Sequence, residues 1–151
     1  MKTPAFIALL ALGLVARLAA ADAPKTDAPP TDVVVLDHAK VDAAFAKGLP
    51  LMINTSYKIQ AGRRVMGGQV EVHDHDTDVL WVTEGSATLV TGGTAIGMKT
   101  TAPGESRGEK IEGGVTRHVT KGDIIVIPEG IPHWFTQVDG TFLYFVLKVT
   151  K

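Results

Sequence analysis

Alternating apolar and polar positions dominate the chain from Leu51 onward and predict a series of short β-strands. Alternation over several residues is typical of a strand that is buried on one face only. Turns that contain glycine separate these segments, and this spacing predicts an all-β fold, a small antiparallel barrel or sandwich. The predicted strands are Leu51–Tyr57, Gly68–His75, Val79–Thr83, Ala87–Val90, Thr116–Thr120, Asp123–Ile127, His133–Val138 and Phe142–Val149.

The stretch from Gly97 to Gly113 interrupts this pattern. It is rich in Gly, Thr, Lys and Glu and shows no apolar alternation. Such a composition predicts an exposed loop or a long, mobile hairpin. Arg107 lies within it and could bind an anionic substrate, although a solvated charge is the ordinary role of such a residue.

The N-terminal segment has a different pattern. An apolar run from Phe6 to Ala21 follows Lys2 and ends in small residues, as in a secretory signal peptide that is cleaved near Ala21 or Ala23. An uncleaved membrane anchor is the alternative, but Arg17 leaves the run short for a membrane span. We therefore expect a signal peptide over residues 1–21, and a secreted or periplasmic protein with no stable membrane insertion after cleavage.

Between this run and the strands, the sequence predicts a tether and a helix. Residues 22–32 are rich in Pro and Asp and contain too few apolar groups to fold, so we expect a disordered tether there. Apolar residues recur at helical spacing over Ala39–Lys47, where Asp37 or His38 can cap the helix and Gly48 can end it. The folded domain is expected to cover residues 33–151.

Composition limits the possible functions. A chain of 151 residues with 45% apolar residues is long enough to bury the core of one domain. The formal net charge of −1 gives no support for a nucleic-acid partner. The chain has no cysteine, which excludes disulfides and thiolate metal ligands. Any metal ion must therefore be held by histidines, carboxylates and water.

The strongest candidate chemistry lies on the predicted strand Gly68–His75. Side chains two residues apart share one face of a strand, so His73 and His75 should lie about 7 Å apart along it. Gln69 and Glu71 should share that face. Polar groups that point into a small barrel need partners, and a metal ion would satisfy them. A solvent-exposed polar face is the alternative.

A second histidine-containing segment strengthens the metal hypothesis. His133 follows Gly122, Pro128 and Gly130, and the first histidine pair, His73 and His75, lies between Gly67 and Gly85. The spacing of these residues resembles two motifs of the cupin superfamily, G-x5-H-x-H-x(3,4)-E-x6-G and G-x5-P-x-G-x2-H-x3-N. The resemblance covers Leu51 to Val149, nearly all of the predicted domain. The resemblance implies a single cupin barrel, a jelly roll or double-stranded β-helix, preceded here by a short helix.

The chain departs from both motifs. Asp78 stands for the motif's glutamate and keeps the six-residue spacing to Gly85, but only two residues separate it from His75. If its carboxylate reaches the metal, the resemblance implies four ligands. Those ligands would be His73, His75, Asp78 and His133. If it does not, three histidine ligands remain and Asp78 accepts a hydrogen bond from an imidazole N–H. Asp76 is a weaker substitute.

Two further polar residues are candidates for catalysis. Glu71 should point inward, where it could act as a general base or as a hydrogen-bond partner of Arg63, Arg64 or Gln137. Gln137 replaces the asparagine that ends the second motif and, by alternation, shares a face with His133. It could orient a substrate.

The ligand types restrict the metal and the resemblance restricts the reaction. Imidazole and carboxylate suit the divalent ions of Fe, Mn, Zn, Ni and Cu without separating them. The resemblance implies an enzyme that acts on a small oxygen-containing molecule, dioxygenase-like or else a lyase or isomerase. A non-catalytic module that binds a metal or a small ligand is the alternative.

Partner surfaces are less clearly marked in the sequence. The resemblance implies a possible homodimer, and the outward apolar residues Val70, Val72 and Trp81 fit either a dimer interface or a covered barrel face. Tyr57 and Tyr144 could line the mouth of the barrel, although ordinary packing is the more common role of such a tyrosine.

Overall fold

The computed structural model describes residues 25–151 and confirms the all-β prediction. Within that range the chain forms one helix and eleven strands. The helix is α1 (His38–Lys47), and the strands are β1 (Pro50–Ile53), β2 (Tyr57–Arg64), β3 (Val70–His73), β4 (Asp76–Thr91), β5 (Thr94–Ile96), β6 (Lys99–Ala102), β7 (Glu105–Gly108), β8 (Lys110–Glu112), β9 (Val115–Thr120), β10 (Ile124–Ile127) and β11 (His133–Thr150). The predicted signal peptide and residues 22–24 of the predicted tether lie outside the described residues. Among residues 25–151, no helix has the length and apolar character needed to cross a membrane.

The short helix is held by the caps that the sequence indicates. Of the two candidate N-caps, Asp37 takes the role, because its side chain accepts a hydrogen bond from the backbone N–H of Lys40 at 2.9 Å. At the other end the N–H of Gly48 donates to the carbonyl of Ala44 at 2.8 Å. Ala44 is buried and packs with Leu51 at the start of the barrel. The helix therefore covers one end of the sheet.

The two longest strands, β4 and β11, form the frame of the barrel. They pair antiparallel over nearly their whole length, and each joins two strands that the sequence predicts as separate. The sequence predicts turns at Glu84-Gly85 and Asp139-Gly140, but these residues lie within β4 and β11 and do not end them. Both glycines have positive φ, 75° and 71°, a conformation that glycine adopts without strain, and the register shifts between Asp139 and Leu143. A β-bulge therefore replaces the predicted turns and bends the sheet.

The remaining strands extend this frame on both sides. The order β1-β2-β11-β3-β7-β6 forms one path through the nine-stranded sheet, and β4 also pairs with β9 and β10. The predicted loop after Gly97 contains a hairpin, β6 and β7. Its second strand pairs with β3, so this hairpin belongs to the main sheet. That pairing brings residues 105–108 beside the predicted metal site.

The core fills the inside of the barrel with aliphatic and aromatic side chains. Leu89, Val82 and Phe142 are completely buried. The ring of Phe142 lies 5.3 Å from the ring of Phe135 and 5.2 Å from that of Tyr144, measured between centroids. These three rings are close enough for tilted aromatic packing. They form the apolar floor below the polar residues described next.

Part of the predicted tether contacts the barrel. Lys25 forms a parallel bridge with Ile53, and the N–H of Thr26 donates to the carbonyl of Ile53 at 3.0 Å. The hydroxyl of Thr55 donates to the carbonyl of Asp27 at 2.8 Å. Residues 25–27 are therefore attached to the edge of the sheet next to β1.

Asp76, at the start of β4, links three strands. Its carboxylate accepts hydrogen bonds from Nζ of Lys58 on β2 and from the hydroxyl of Thr150 on β11, each at 2.7 Å. Burial alone would raise the pKa of Asp76, but the hydrogen bonds from Lys58 and Thr150 together lower this pKa below its ordinary value. The ionised carboxylate therefore stabilises the fold.

Replacing Asp76 by asparagine should lower the free energy of unfolding by about 1–3 kcal/mol at pH 7, because charged hydrogen bonds of a buried group are lost. The pKa of Asp76 is lower in the folded protein than in the unfolded chain. The stability that Asp76 contributes is therefore complete at a pH above the unfolded-state pKa, and it disappears as the pH falls through the folded-state pKa. Urea unfolding of both proteins at pH 7 and at about pH 3, below the ordinary aspartate pKa, measures the effect. A difference between wild type and variant that stayed constant with pH would contradict the linkage.

Candidate metal centre

Three side chains that could hold a metal ion converge inside the barrel. One ligand atom each of Glu71, His73 and His133 lies within 4.8 Å of the other two. Glu71 and His73 share one face of β3, and His133, the first residue of β11, stands opposite Glu71 in the register of the two strands. Both histidines are buried, and their ring centroids are 5.1 Å apart. Adjacent strands thus deliver two imidazoles and a carboxylate to one point.

Hydrogen bonds on the outer nitrogen orient each imidazole. Nδ1 of His73 lies 2.7 Å from the carboxylate of Glu105, and Nδ1 of His133 lies 3.1 Å from the carbonyl of Ile131. Because each Nδ1–H donates outward, each Nε2 keeps its lone pair directed inward. Burial lowers the pKa of His133, so that this ring is neutral at pH 7. The two rings are therefore arranged as metal ligands are.

Glu105 is a residue that the sequence does not mark. It lies on β7, in the segment predicted as a loop or hairpin, and it stands opposite His73 in the register of β3 and β7. Only the pairing of these two strands brings it to the histidine. Arg107, two residues on, shares its face and places its guanidinium 3.2 Å from Glu105 and 3.5 Å from Glu71.

Glu71 is paired with arginines. Nη2 of Arg64 donates to its carboxylate at 2.7 Å, which is one of the two roles that the sequence suggests. Burial alone would raise the pKa of Glu71, but the charges of Arg107 and Arg64 lower this pKa below its ordinary value. Glu71 is therefore a carboxylate at neutral pH and a weak base, better suited to hold a cation than to abstract a proton.

Asp78 also faces the cluster. Its Oδ2 lies 3.5 Å from Nε2 of His73 and 3.9 Å from Nε2 of His133. The ammonium of Lys148 bridges Asp78 and His73. Its Nζ donates to both oxygens of Asp78 at 2.7 Å and to Nε2 of His73 at 2.8 Å. Lys148 is not among the predicted site residues, yet the sequence contains a signal for it. Period-two alternation along Phe142–Val149 places it on the inward face of β11.

His75 does not join the cluster. Strand β3 ends at His73, and a bend at Asp74 and His75 turns the second histidine to solvent. The backbone N–H of Asp74 donates to the carbonyl of Gly104 at 2.9 Å, which holds this bend. The expectation that the two histidines share a face is therefore wrong, because period-two alternation applies only while the strand continues.

The bend also explains the irregular spacing before Asp78. Four residues separate His73 from Asp78, which agrees with the first cupin motif, whereas only two separate His75 from Asp78. The structure therefore places His73 where the motif has its second histidine and Glu71 where it has the first. The geometry brings Glu71, His73, Asp78 and His133 together and leaves His75 outside.

Two other candidate residues do not join the cluster. Gln137 is exposed, because a register shift between Phe135 and Gln137 in the pairing with β4 interrupts the alternation from His133. It faces away from the cluster. Asp76 is buried, and its carboxylate is hydrogen-bonded to Lys58 and Thr150 instead.

A cavity adjoins the cluster. It has a volume of about 50 Å³, and Asp78, His133 and Lys148 line it together with the apolar side chains Leu80, Phe135 and Val146. An outer cavity of about 360 Å³ shares three residues with it and is bounded by the β6–β7 hairpin. The shared residues are Gln60, Glu71 and Lys148. A groove of about 670 Å³ elsewhere on the surface contains none of the clustered residues.

Tyr144 lines the inner cavity, as the sequence allows. Burial raises the pKa of Tyr144, so its phenol stays protonated. Its oxygen accepts a hydrogen bond from Nε of Arg64 at 3.2 Å. The O–H is therefore left to donate toward a molecule in the cavity.

The cluster fits a divalent transition metal. It offers two inward imidazole lone pairs and the carboxylate of Glu71, with the carboxylate of Asp78 next to them. This set of nitrogen and oxygen donors suits Fe, Mn, Zn, Ni or Cu and does not select among them.

Comparison with known proteins agrees with the fold and the motifs. The family model "Cupin" matches residues 28–151. No curated protein matches the sequence. Among solved structures, a protein of Bacillus halodurans is 17% identical with a TM-score of 0.56, covering 83% of this chain and 86% of its own. An uncharacterised Klebsiella pneumoniae protein with a double-stranded β-helix domain is 14% identical with a TM-score of 0.54, covering 79% and 91%.

A third structure is more distant. The DMSP lyase DddQ of Ruegeria pomeroyi is 17% identical with a TM-score of 0.45 over 64% of this chain and only 40% of the lyase. At these identities the structural likeness shows the fold alone, while the family match covers most of the chain. The chain belongs to the cupin family.

Proposed function

We propose that the protein is a metal-dependent enzyme that acts on a small oxygen-containing molecule. One observation carries this proposal: two buried imidazoles direct their Nε2 lone pairs to the same point beside an internal cavity. A metal ion bound there would supply a Lewis acid or a redox centre.

The surrounding residues have separate roles in this proposal. His73, His133 and Glu71 would hold the metal, with Asp78 as a further carboxylate. Nearby arginines lower the pKa of Glu71 and burial raises that of Tyr144, so the phenol is better suited to donate a hydrogen bond to the substrate than to transfer a proton. The inner cavity holds only a few atoms, so one end of the substrate would enter it and the rest would lie in the outer cavity.

Elemental analysis and a substrate screen test the proposal. We expect stoichiometric Fe, Mn, Zn, Ni or Cu in the purified protein, or after reconstitution, and turnover of a small oxygen-containing compound. Oxygen uptake under air would indicate a dioxygenase, whereas equal turnover under nitrogen would indicate a lyase or isomerase. A bound metal without turnover would favour the non-catalytic module. Failure to bind any of these metals would refute the metal-dependent enzyme and leave only a module that binds a small ligand.

We also infer that the protein forms a homodimer through the outer face of β10, β4 and β11. This outer face exposes five apolar side chains, a pattern typical of an interaction surface. They are Trp81, Ile124, Val126, Leu147 and Val149. The strand register places Ile124 opposite Trp81, so the two side chains are neighbours on one surface. Val70, by contrast, is fully buried and cannot contribute.

Replacing Trp81 by lysine should convert this dimer to a monomer, because a charge would be buried at the centre of an apolar interface. Val115, on β9 outside this face, is exposed to the same extent, 55%, and provides the matched control. Size-exclusion chromatography with light scattering should show a dimer for wild type and for Val115→Lys only. A monomeric wild type at all concentrations would disprove the dimer.

We further propose that the protein is exported to the periplasm or the medium. The support is the apolar run over residues 6–21 with small residues after it. Cell fractionation and N-terminal sequencing of the mature protein test this. A cytoplasmic protein that retains Met1 would contradict export.

A further inference from the structure

Lys148 is a buried cation at the centre of the candidate metal site. Lys148 is only 8% exposed. It lies on the inward face of β11, after the buried side chains Phe142, Tyr144 and Val146. An ammonium group inside a barrel is costly unless it is paired. Here the partners are Asp78, directly opposite in the strand register, and His73.

The ammonium uses the same atoms that a metal would use. Nζ of Lys148 lies 2.8 Å from Nε2 of His73, and Nε2 has a single lone pair. A metal ion would need that lone pair at about 2.0–2.1 Å. It would also need the oxygens of Asp78, both of which accept from Nζ at 2.7 Å. Lysine and metal therefore cannot occupy these positions together.

The charges around the cluster are already compensated. The carboxylate of Asp78 faces the ammonium of Lys148, and the carboxylate of Glu71 faces the guanidinium of Arg64. A divalent ion that enters beside Lys148 would meet the repulsion of a like charge in a buried site. The structure thus contains an internal competitor for the metal.

The side chain has a place to move when a metal binds. Lys148 lines the outer cavity of about 360 Å³ as well as the inner one. The carboxylate of Glu105, which is not among the proposed metal ligands, also lines the outer cavity and could receive the ammonium there. Lys148 therefore borders the space into which its ammonium would move.

We propose that Lys148 is an internal cation that competes with the metal for Asp78 and His73 and so sets the metal affinity of the site. This inference rests on the proposed function, because it requires that the cluster binds a metal ion. In the metal-free protein Lys148 bonds Asp78 and His73, and in this proposal metal binding displaces its ammonium toward the outer cavity.

Calorimetric titration of the metal-free protein with Zn²⁺ and with Mn²⁺ tests the competition. Lys148→Met should bind these ions roughly 10- to 100-fold more tightly than wild type, the range in which groups bonded to metal ligands act. Lys58→Met is the matched control, because Lys58 also donates to a carboxylate at 2.7 Å, that of Asp76, outside the cluster. Its affinity should equal that of wild type.

A second measurement guards against misfolding of the variant. Without Lys148, Asp78 is buried and unpaired, so the thermal midpoint of metal-free Lys148→Met should fall, and added Zn²⁺ should raise it by more than in wild type. If this variant does not fold, Lys148→Gln keeps a donor for Asp78 without the charge and should also bind more tightly. If wild type binds the metal and the folded variant binds it equally or more weakly, the competition by Lys148 is refuted while the metal site stands. No binding by wild type or either Lys148 variant would reject the metal site as well.

Discussion

Replacing His73 with alanine should weaken binding of a divalent metal by more than about 100-fold, because even groups that only bond to metal ligands change the affinity by 10- to 100-fold. Replacing His75 with alanine should leave the affinity unchanged. His73 is buried, and its Nε2 faces Glu71, Asp78 and the lone pair of His133. His75 is exposed beyond the end of β3.

This pair of variants separates the two alignments of the first cupin motif. The motif in its simplest form assigns both histidines as ligands, whereas in the structure Glu71 and His73 converge with His133. Calorimetric titration and elemental analysis of His73→Ala, His75→Ala and wild type measure the difference. Loss of metal from His75→Ala would support the simple alignment and contradict the structure. A thermal unfolding scan of each metal-free variant controls for misfolding.

Replacing Phe142 with alanine should lower the free energy of unfolding by about 3–5 kcal/mol, the usual cost of removing a buried phenylalanine ring. Phe142 is completely buried, and its ring packs against Phe135 and Tyr144. Those two side chains line the inner cavity. Its loss would therefore leave a cavity in the core and loosen the floor of the site.

Urea unfolding of Phe142→Ala beside Met66→Ala measures this effect. Met66 is also a large apolar side chain, but it is 71% exposed, so its truncation should change stability by no more than about 0.5 kcal/mol. A Phe142→Ala variant within about 1 kcal/mol of wild type would show that this part of the core is not well packed.

Local patterns in the sequence predicted most of the secondary structure. Asp37 and Gly48 mark the ends of the helix because capping depends on residues only a few positions away. Alternation identified the strands for the same reason. It did not reveal that the turn markers at Gly85 and Gly140 are accommodated inside long strands, since a bulge forms only when the opposing strand is in place.

The site was predicted in part. The motifs identified His73 and His133, and both lie in the cluster. His75 and Gln137 were assigned to it by the motifs together with strand alternation, and both lie outside, one beyond the end of a strand and the other at a break in the strand register. The spacing of four residues between His73 and Asp78 was the available signal against His75.

By itself, then, the sequence determined the barrel, its helix and the family, because these follow from periodicity, capping and motif spacing. Only the tertiary structure decided which side chains meet in the site. Glu105 reaches His73 through the pairing of β3 with β7, and Lys148 reaches Asp78 through the pairing of β4 with β11. Both contacts join residues that are far apart in the chain, and the register that aligns them is set by the packing of the whole sheet.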